Sequence, residues 1–234
     1  MDVQEIMERR ERIAQSPMFA IPEERVADLA KQLAERTPRS KQLFDAAKRC
    51  IPGGAQHMLV IKNPHPLTIS RSLGSRVWDA DNNEYIDYLM MAGPIILGHN
   101  YPPLIEKVVD VVQGEGIGFG WTSEWEIKSS ELIIQHMKNV DMVRYFQSGT
   151  EADMAAARLA RAYTGKAKII RIGGSYHGWA DEFVYDMQIP YSGTFQTQGI
   201  PEQHFSNVIS VGPGDQAALE QAFETGEAQG GVAA

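Results

Sequence analysis

The stretch Phe146-Gln147-Ser148-Gly149-Thr150-Glu151-Ala152 decides how this chain is read, because the residue pattern changes across it. Before it, Met142-Val143-Arg144-Tyr145-Phe146 is a short β-rich run whose length and aromatic content suit a strand. After it, Glu151 to Tyr163 are mostly Ala, Met, Leu and Arg, strong helix formers, and Gly165 stands where a glycine would stop the helix. A strand turning through Ser-Gly-Thr into a helix aims unpaired N–H groups and the positive end of the helix dipole at one point, which suits a phosphate. Gly149 lets the backbone come close, and the Ser148 and Thr150 hydroxyls add donors. The same residue types are also the ordinary caps of a helix, and at this level both readings stand.

Downstream, Lys168-Ile169-Ile170-Arg171-Ile172 is the next candidate strand, followed by Gly173-Gly174-Ser175-Tyr176-His177-Gly178. The order strand, helix, strand is that of a parallel α/β unit, in which loops at the carboxyl ends of strands line the ligand crevice. Tyr176 then offers an aromatic face to whatever Ser148–Thr150 hold by phosphate, so a phosphorylated aromatic cofactor is expected. His177 either bonds a backbone group in its turn or lies on the cofactor side.

Several ordered blocks carry a family resemblance. They are Phe44-Asp45-Ala46-Ala47-Lys48 with Ile51-Pro52-Gly53-Gly54, then Val77-Trp78-Asp79-Ala80-Asp81-Asn82-Asn83-Glu84-Tyr85-Ile86-Asp87-Tyr88, and Gly93-Pro94-Ile95-Ile96-Leu97-Gly98-His99. The Ser-Gly-Thr-Glu-Ala turn, Arg158-Leu159-Ala160-Arg161 and Tyr176-His177-Gly178 complete the set. From Phe44 to Val232 the chain resembles the N-terminal part of a class III pyridoxal-phosphate aminotransferase, nearest the glutamate-1-semialdehyde 2,1-aminomutase branch. The resemblance implies an α/β chain with part of the fold type I transferase architecture, and pyridoxal 5′-phosphate as cofactor. Gly149 and Thr150, with Ser148, would hold the phosphate, and Tyr176 would stack on the pyridine ring with His177 beside it. It also implies a homodimer when full length, acting on an amino donor and an oxo acceptor.

An enzyme of this kind needs a lysine for the Schiff base and a carboxylate against the pyridinium nitrogen. In the family both follow the segment that Gly230 to Ala234 begins, and no lysine present fits the position, since Lys166 and Lys168 fall in a helix-to-strand turn. The expectation is therefore an N-terminal fragment that carries no catalytic residue and does not transaminate alone. A non-catalytic phosphate-binding or interaction protein is the alternative. Aminomutases carry an arginine shortly after Pro-Gly-Gly where an ungapped alignment puts Val60, which argues against that reaction. Gln56 and His57 would then line the mouth of a substrate pocket, or the segment simply covers core.

Composition bounds the remainder. With 234 residues, 43% hydrophobic and 9% aromatic, the chain has ordinary globular usage and can bury a core. A net charge of −8 argues against a nucleic-acid binder or an anionic membrane surface. The N-terminus lacks a basic region followed by an apolar core, and no apolar run approaches the ~20 residues of a membrane span, so a cytoplasmic location is expected. Cys50, the single cysteine, excludes an internal disulfide and reads as packed beside Ile51. The histidines lack metal-ligand spacing, so no metal is expected. Trp121 and Trp125, four apart, read as packing on one face of a helix start. Three regions are expected: a helical arm over 1–40 divided by prolines, the first part of a small domain over 41–92 with a hairpin turn at Asp81–Glu84, and a partial large domain over 93–234.

Overall fold

The computed structural model describes residues 12, 15, 21–56, 63–116, 118, 120–189, 191–194 and 196–234. The chain divides into two compact units, Met1–Trp121 and Thr122–Ala234.

In the first unit, helices α1 (Glu23–Arg36) and α2 (Pro38–Ala47) follow one another, each started by proline chemistry: Pro22 precedes α1 and Pro38 fills the first position of α2. Three strands follow, β1 (Ile69–Leu73), β2 (Arg76–Asp79) and β3 (Glu84–Ile86), in an antiparallel sheet ordered β1-β2-β3. The expected hairpin turn is there, and its chemistry centres on Asp79, which is fully buried. The Asp79 carboxylate accepts from the Asp81 N–H at 2.9 Å, the Asn83 N–H at 2.8 Å, Asn83 Nδ2 at 2.9 Å and the Tyr85 hydroxyl at 2.8 Å. Burial alone would raise its pKa, yet donors from Asn83 and Tyr85 hold it below the ordinary 3.8. Beside it, Asp81 accepts from the Arg39 and Ser40 N–H groups at 2.7 and 3.0 Å and so caps the start of α2 from 42 and 41 residues away in sequence. Farther on, Asp87 pairs with His99 Nε2 at 2.7 Å, and α3 spans Pro102–Gly114.

The second unit starts with α4 (Glu124–His136), capped by Ser123, whose hydroxyl accepts from the Glu126 N–H. Trp125 lies in its first turn, and Trp121 precedes the helix. Then come α5 (Gly149–Thr164), β4 (Ile169–Ile172), β5 (Val208–Val211) and α6 (Gln216–Ala228). Gly165 ends α5 in the left-handed conformation, its N–H on the Arg161 carbonyl at 2.9 Å. Strands β4 and β5 pair in parallel, and Val232 bridges Lys168 on the other side of β4. Among the described residues, apolar packing forms two small cores, one of Ala157, Ile169 and Phe183, the other of Val184, Met187 and Phe205.

Two expectations fail. Residues 142–146 form no strand: no described residue pairs with them, and a run of strand composition becomes a strand only when a neighbour completes its ladder. Cys50 is exposed rather than packed, in the turn by which the chain leaves α2.

Candidate active site

The site is assembled by the N-terminus of α5 and the loop that leaves β4. Ser148 is the N-cap of α5, extended in backbone, and its hydroxyl accepts from the Glu151 N–H at 3.2 Å while donating to Glu151 Oε2 at 3.0 Å. The capping reading of Ser148 is thus realised. Gly149 and Thr150 open the helix, where the first N–H groups have no carbonyl within it to bond and the dipole is positive. The Thr150 hydroxyl accepts from the Trp179 N–H at 3.1 Å, and among the described residues its own proton meets no acceptor.

That single bond joins the helix to the Gly173–Gly178 loop. The loop was expected to reach the cradle because two neighbouring parallel strands would end side by side. With residues 142–146 outside the sheet, the Thr150–Trp179 bond performs the joining instead. Gly178 lies against Thr150 with φ +88°, and a Cβ there would stand 2.6 Å from Thr150 Oγ1 and 2.8 Å from its Cα. Tyr176 is 64% exposed, with its ring available for contact. His177 is half-buried, and its Nε2 is buried without a hydrogen-bond partner among the described residues, an arrangement that costs free energy unless something completes it.

Sequence reasoning missed the support beneath this loop. Arg171, 4% exposed on β4, donates to the carbonyls of Phe183, Tyr185 at 2.5 Å and Ser175 at 2.5 Å, tying both ends of the segment after β4 to the strand. Burial pushes its pKa down while Asp186 works in the other direction. Asp186 accepts from Ser210 Oγ on β5 at 2.5 Å and from the Gly193 N–H at 3.0 Å, and these donors keep it below its ordinary value although burial opposes them. Arg171 is an arginine inside an apolar strand run, and that mismatch is the signal that could have flagged it.

Within the second unit the structure thus joins Thr150, which follows Ser148 and Gly149 at the start of α5, to Gly178 and Trp179, which directly follow Tyr176 and His177. Gln56 belongs to the first unit and is exposed, and His57 lies outside the described residues. A cavity of about 790 Å³ between α4 and residues 143–147 is lined by Trp125, Ser129, Tyr145 and Phe146, and no predicted site residue reaches it. Lys166 pairs with Glu227 at 2.6 Å and Lys168 donates to the Ser206 carbonyl at 2.6 Å, both at the end of β4 opposite the Gly173–Gly178 loop. Among the described residues, no cluster of three or more His, Cys, Asp or Glu could hold a metal, and no helix is long and apolar enough to cross a membrane.

Comparison with known proteins places this geometry in a family. The model of the class-III aminotransferases matches residues 59–214. A glutamate-1-semialdehyde 2,1-aminomutase of Sorangium cellulosum is 40% identical over 195 residues, 81% of this chain and 44% of that protein. Among solved structures, an omega-transaminase from Sphaerobacter thermophilus superposes with a TM-score of 0.75 at 30% identity, over 83% of this chain and 46% of its own. A glutamate-1-semialdehyde-aminomutase variant from Pseudomonas aeruginosa PAO1 in complex with PMP gives 0.74 at 25% identity, over 92% and 48%. The chain thus spans less than half the length of these relatives. Matched across two thirds of its residues, with the helix-capping Ser-Gly-Thr turn and the Tyr-His-Gly loop joined as described, the chain belongs to the class-III aminotransferase family.

Proposed function

We propose that this chain supplies the phosphate cradle and the ring-facing loop of a pyridoxal 5′-phosphate-dependent aminotransferase. The single observation that carries the reading is the junction of the α5 N-terminus with the Tyr176 loop through Thr150 and Trp179. The residues present fit the cofactor. Gly149 and Thr150 offer backbone N–H groups and one uncommitted hydroxyl proton to a dianion. Tyr176 has an exposed face for a pyridine ring, and the buried Nε2 of His177 lacks a partner that a polar ring substituent would provide. The complex of a neighbouring aminomutase with PMP supports the same choice.

When bound, the cofactor supplies a carbonyl that takes up amino groups and a ring that accepts electron density. The chain's own part is to bind and orient. Phosphate held at the helix N-terminus fixes one end of the ring, Tyr176 excludes water from one face, and Ser148 keeps the helix start in shape. In the whole protein the reaction moves an amino group between an amino acid or amine and an oxo acid or aldehyde, with Gln56 and His57 at the pocket mouth. The aminomutase reaction is favoured by the relatives' names and opposed by Val60, where an arginine would pair with a substrate carboxylate. Residues 1–40 serve as an arm, 41–92 as part of a small domain and 93–234 as part of the cofactor domain, in a cytoplasmic homodimer. The chain alone binds without turnover, a reading supported by the engagement of Lys166 and Lys168 away from the loop.

Titration with pyridoxal 5′-phosphate and with pyridoxal tests this. The phosphorylated form should bind the tighter, and Thr150→Ala should weaken it roughly tenfold to a hundredfold, as loss of a charge-assisted hydrogen bond of about 1.5–3 kcal/mol requires. Tyr176→Ala should weaken both ligands. Equal affinity for the two forms sinks the cradle. Borohydride treatment should fix the cofactor at no unique lysine, and one stoichiometric labelled lysine with turnover would overturn the claim of inactivity.

A further inference from the structure

Thr150 and Gly178 together form a contact with no assigned role, and it bears on how a phosphate and a ring can be grasped at once. The Thr150 hydroxyl has one proton to give and lone pairs to receive with. One lone pair is taken by the Trp179 N–H at 3.1 Å. The amide proton therefore fixes which way the oxygen faces, and the hydroxyl's own proton is left over, with no acceptor among the described residues. Gly178 makes the approach possible, since a Cβ would overlap Thr150 Oγ1, Cα and Cβ at 2.6, 2.8 and 3.0 Å. Its φ of +88° is also one that residues with a side chain rarely adopt.

We propose that Thr150 is a two-way positioning residue: it accepts from the Trp179 amide to hold the Tyr176–His177 turn against the helix, and it donates its proton to the cofactor phosphate, so that anion binding and ring-face placement are coupled through one side chain. Gly178 is the position that permits the coupling. The donating half rests on the cofactor reading above, and the accepting half stands on the geometry alone.

Hydrogen exchange of the Trp179 amide in the 234-residue chain, read by NMR, separates the two. Without ligand, Thr150→Val keeps the shape and removes the acceptor, and should speed exchange of this amide roughly tenfold, the equivalent of one net hydrogen bond. Thr150→Ser should restore protection, which a purely steric role of the threonine would not predict. Gly178→Ala should raise exchange like Thr150→Val while leaving the Thr150 hydroxyl in place, so the result does not depend on one variant folding. Addition of pyridoxal 5′-phosphate should then protect the Trp179 amide further in the wild type and in Thr150→Ser, and not in Thr150→Val. Unchanged exchange in both Thr150→Val and Gly178→Ala would overturn the joint. Normal responses to the variants without any added protection by the cofactor would leave the accepting half standing and overturn the coupling, whereas the phosphate cradle itself stands or falls with the titration of Thr150→Ala described above.

Discussion

The hairpin around Asp79 in the first unit and the loop around Tyr176 in the second are both built from polar residues in tight turns, yet they differ in how far their hydrogen bonding is closed. At Asp79 four donors converge on one fully buried carboxylate. At the Tyr176 loop the backbone is pinned from below by Arg171, while the Thr150 proton, His177 Nε2 and Nε of Arg171 itself are left without partners among the described residues. A turn that serves the fold closes its own polar groups, because each unmet buried donor or acceptor costs about 1–3 kcal/mol. Open valences beside an exposed aromatic face are what a ligand site requires.

The largest expected effect lies on the closed side. Asp79→Ala removes the common acceptor and strands the Asn83 and Tyr85 donors, so the hairpin should lose roughly 3 kcal/mol of stability, measured as a lower denaturant midpoint. A loss below about 1 kcal/mol would mean that water satisfies those donors and that the two regions are equally open.

A pH titration sharpens the same point. Tyr85 is pushed up to about 12, first by burial and then by the Asp79 carboxylate that its hydroxyl donates to. The folded state holds this proton more tightly than the unfolded chain does. Its contribution is therefore complete below the ordinary value of 10.0 and is lost as the pH rises from there through about 12. Thermal melts of the wild type should fall across that window more steeply than those of Tyr85→Phe. Parallel curves would remove Tyr85 from the network.

Legibility in the sequence followed the range of the interactions. The α5 helix, its Gly165 stop, β4 and the Asp81–Glu84 turn rest on local propensity and were readable, although the helix starts at Gly149, two residues before the run of helix formers. The run 142–146 was not, because a strand is a property of two segments and only one was in view. Asp81 and Arg171 act on partners that their own sequence neighbourhood does not reveal: Asp81 caps a helix that begins at Pro38, and Arg171 holds carbonyls up to 14 residues away. The candidate site residues were legible as types in a pattern, whereas the bond that joins them, Thr150 to Trp179, needed the folded chain.

The smallest expected effect divides two neighbouring hydroxyls. Ser148 both accepts from the Glu151 N–H and donates to the Glu151 carboxylate, so its hydrogen-bonding capacity is engaged in the cap. Thr150 keeps its proton free of any described acceptor. Ser148→Ala should then cost about 1 kcal/mol of stability, as loss of an N-cap does, and Ser148→Asn, which caps as well, should restore it. Both variants should retain most of the affinity for pyridoxal 5′-phosphate, in contrast to Thr150→Ala. A drop in affinity for Ser148→Asn as large as that for Thr150→Ala, at restored stability, would show that Ser148 gives up its bond to Glu151 when phosphate arrives. The helix start would then be a site that rearranges on binding rather than one already set.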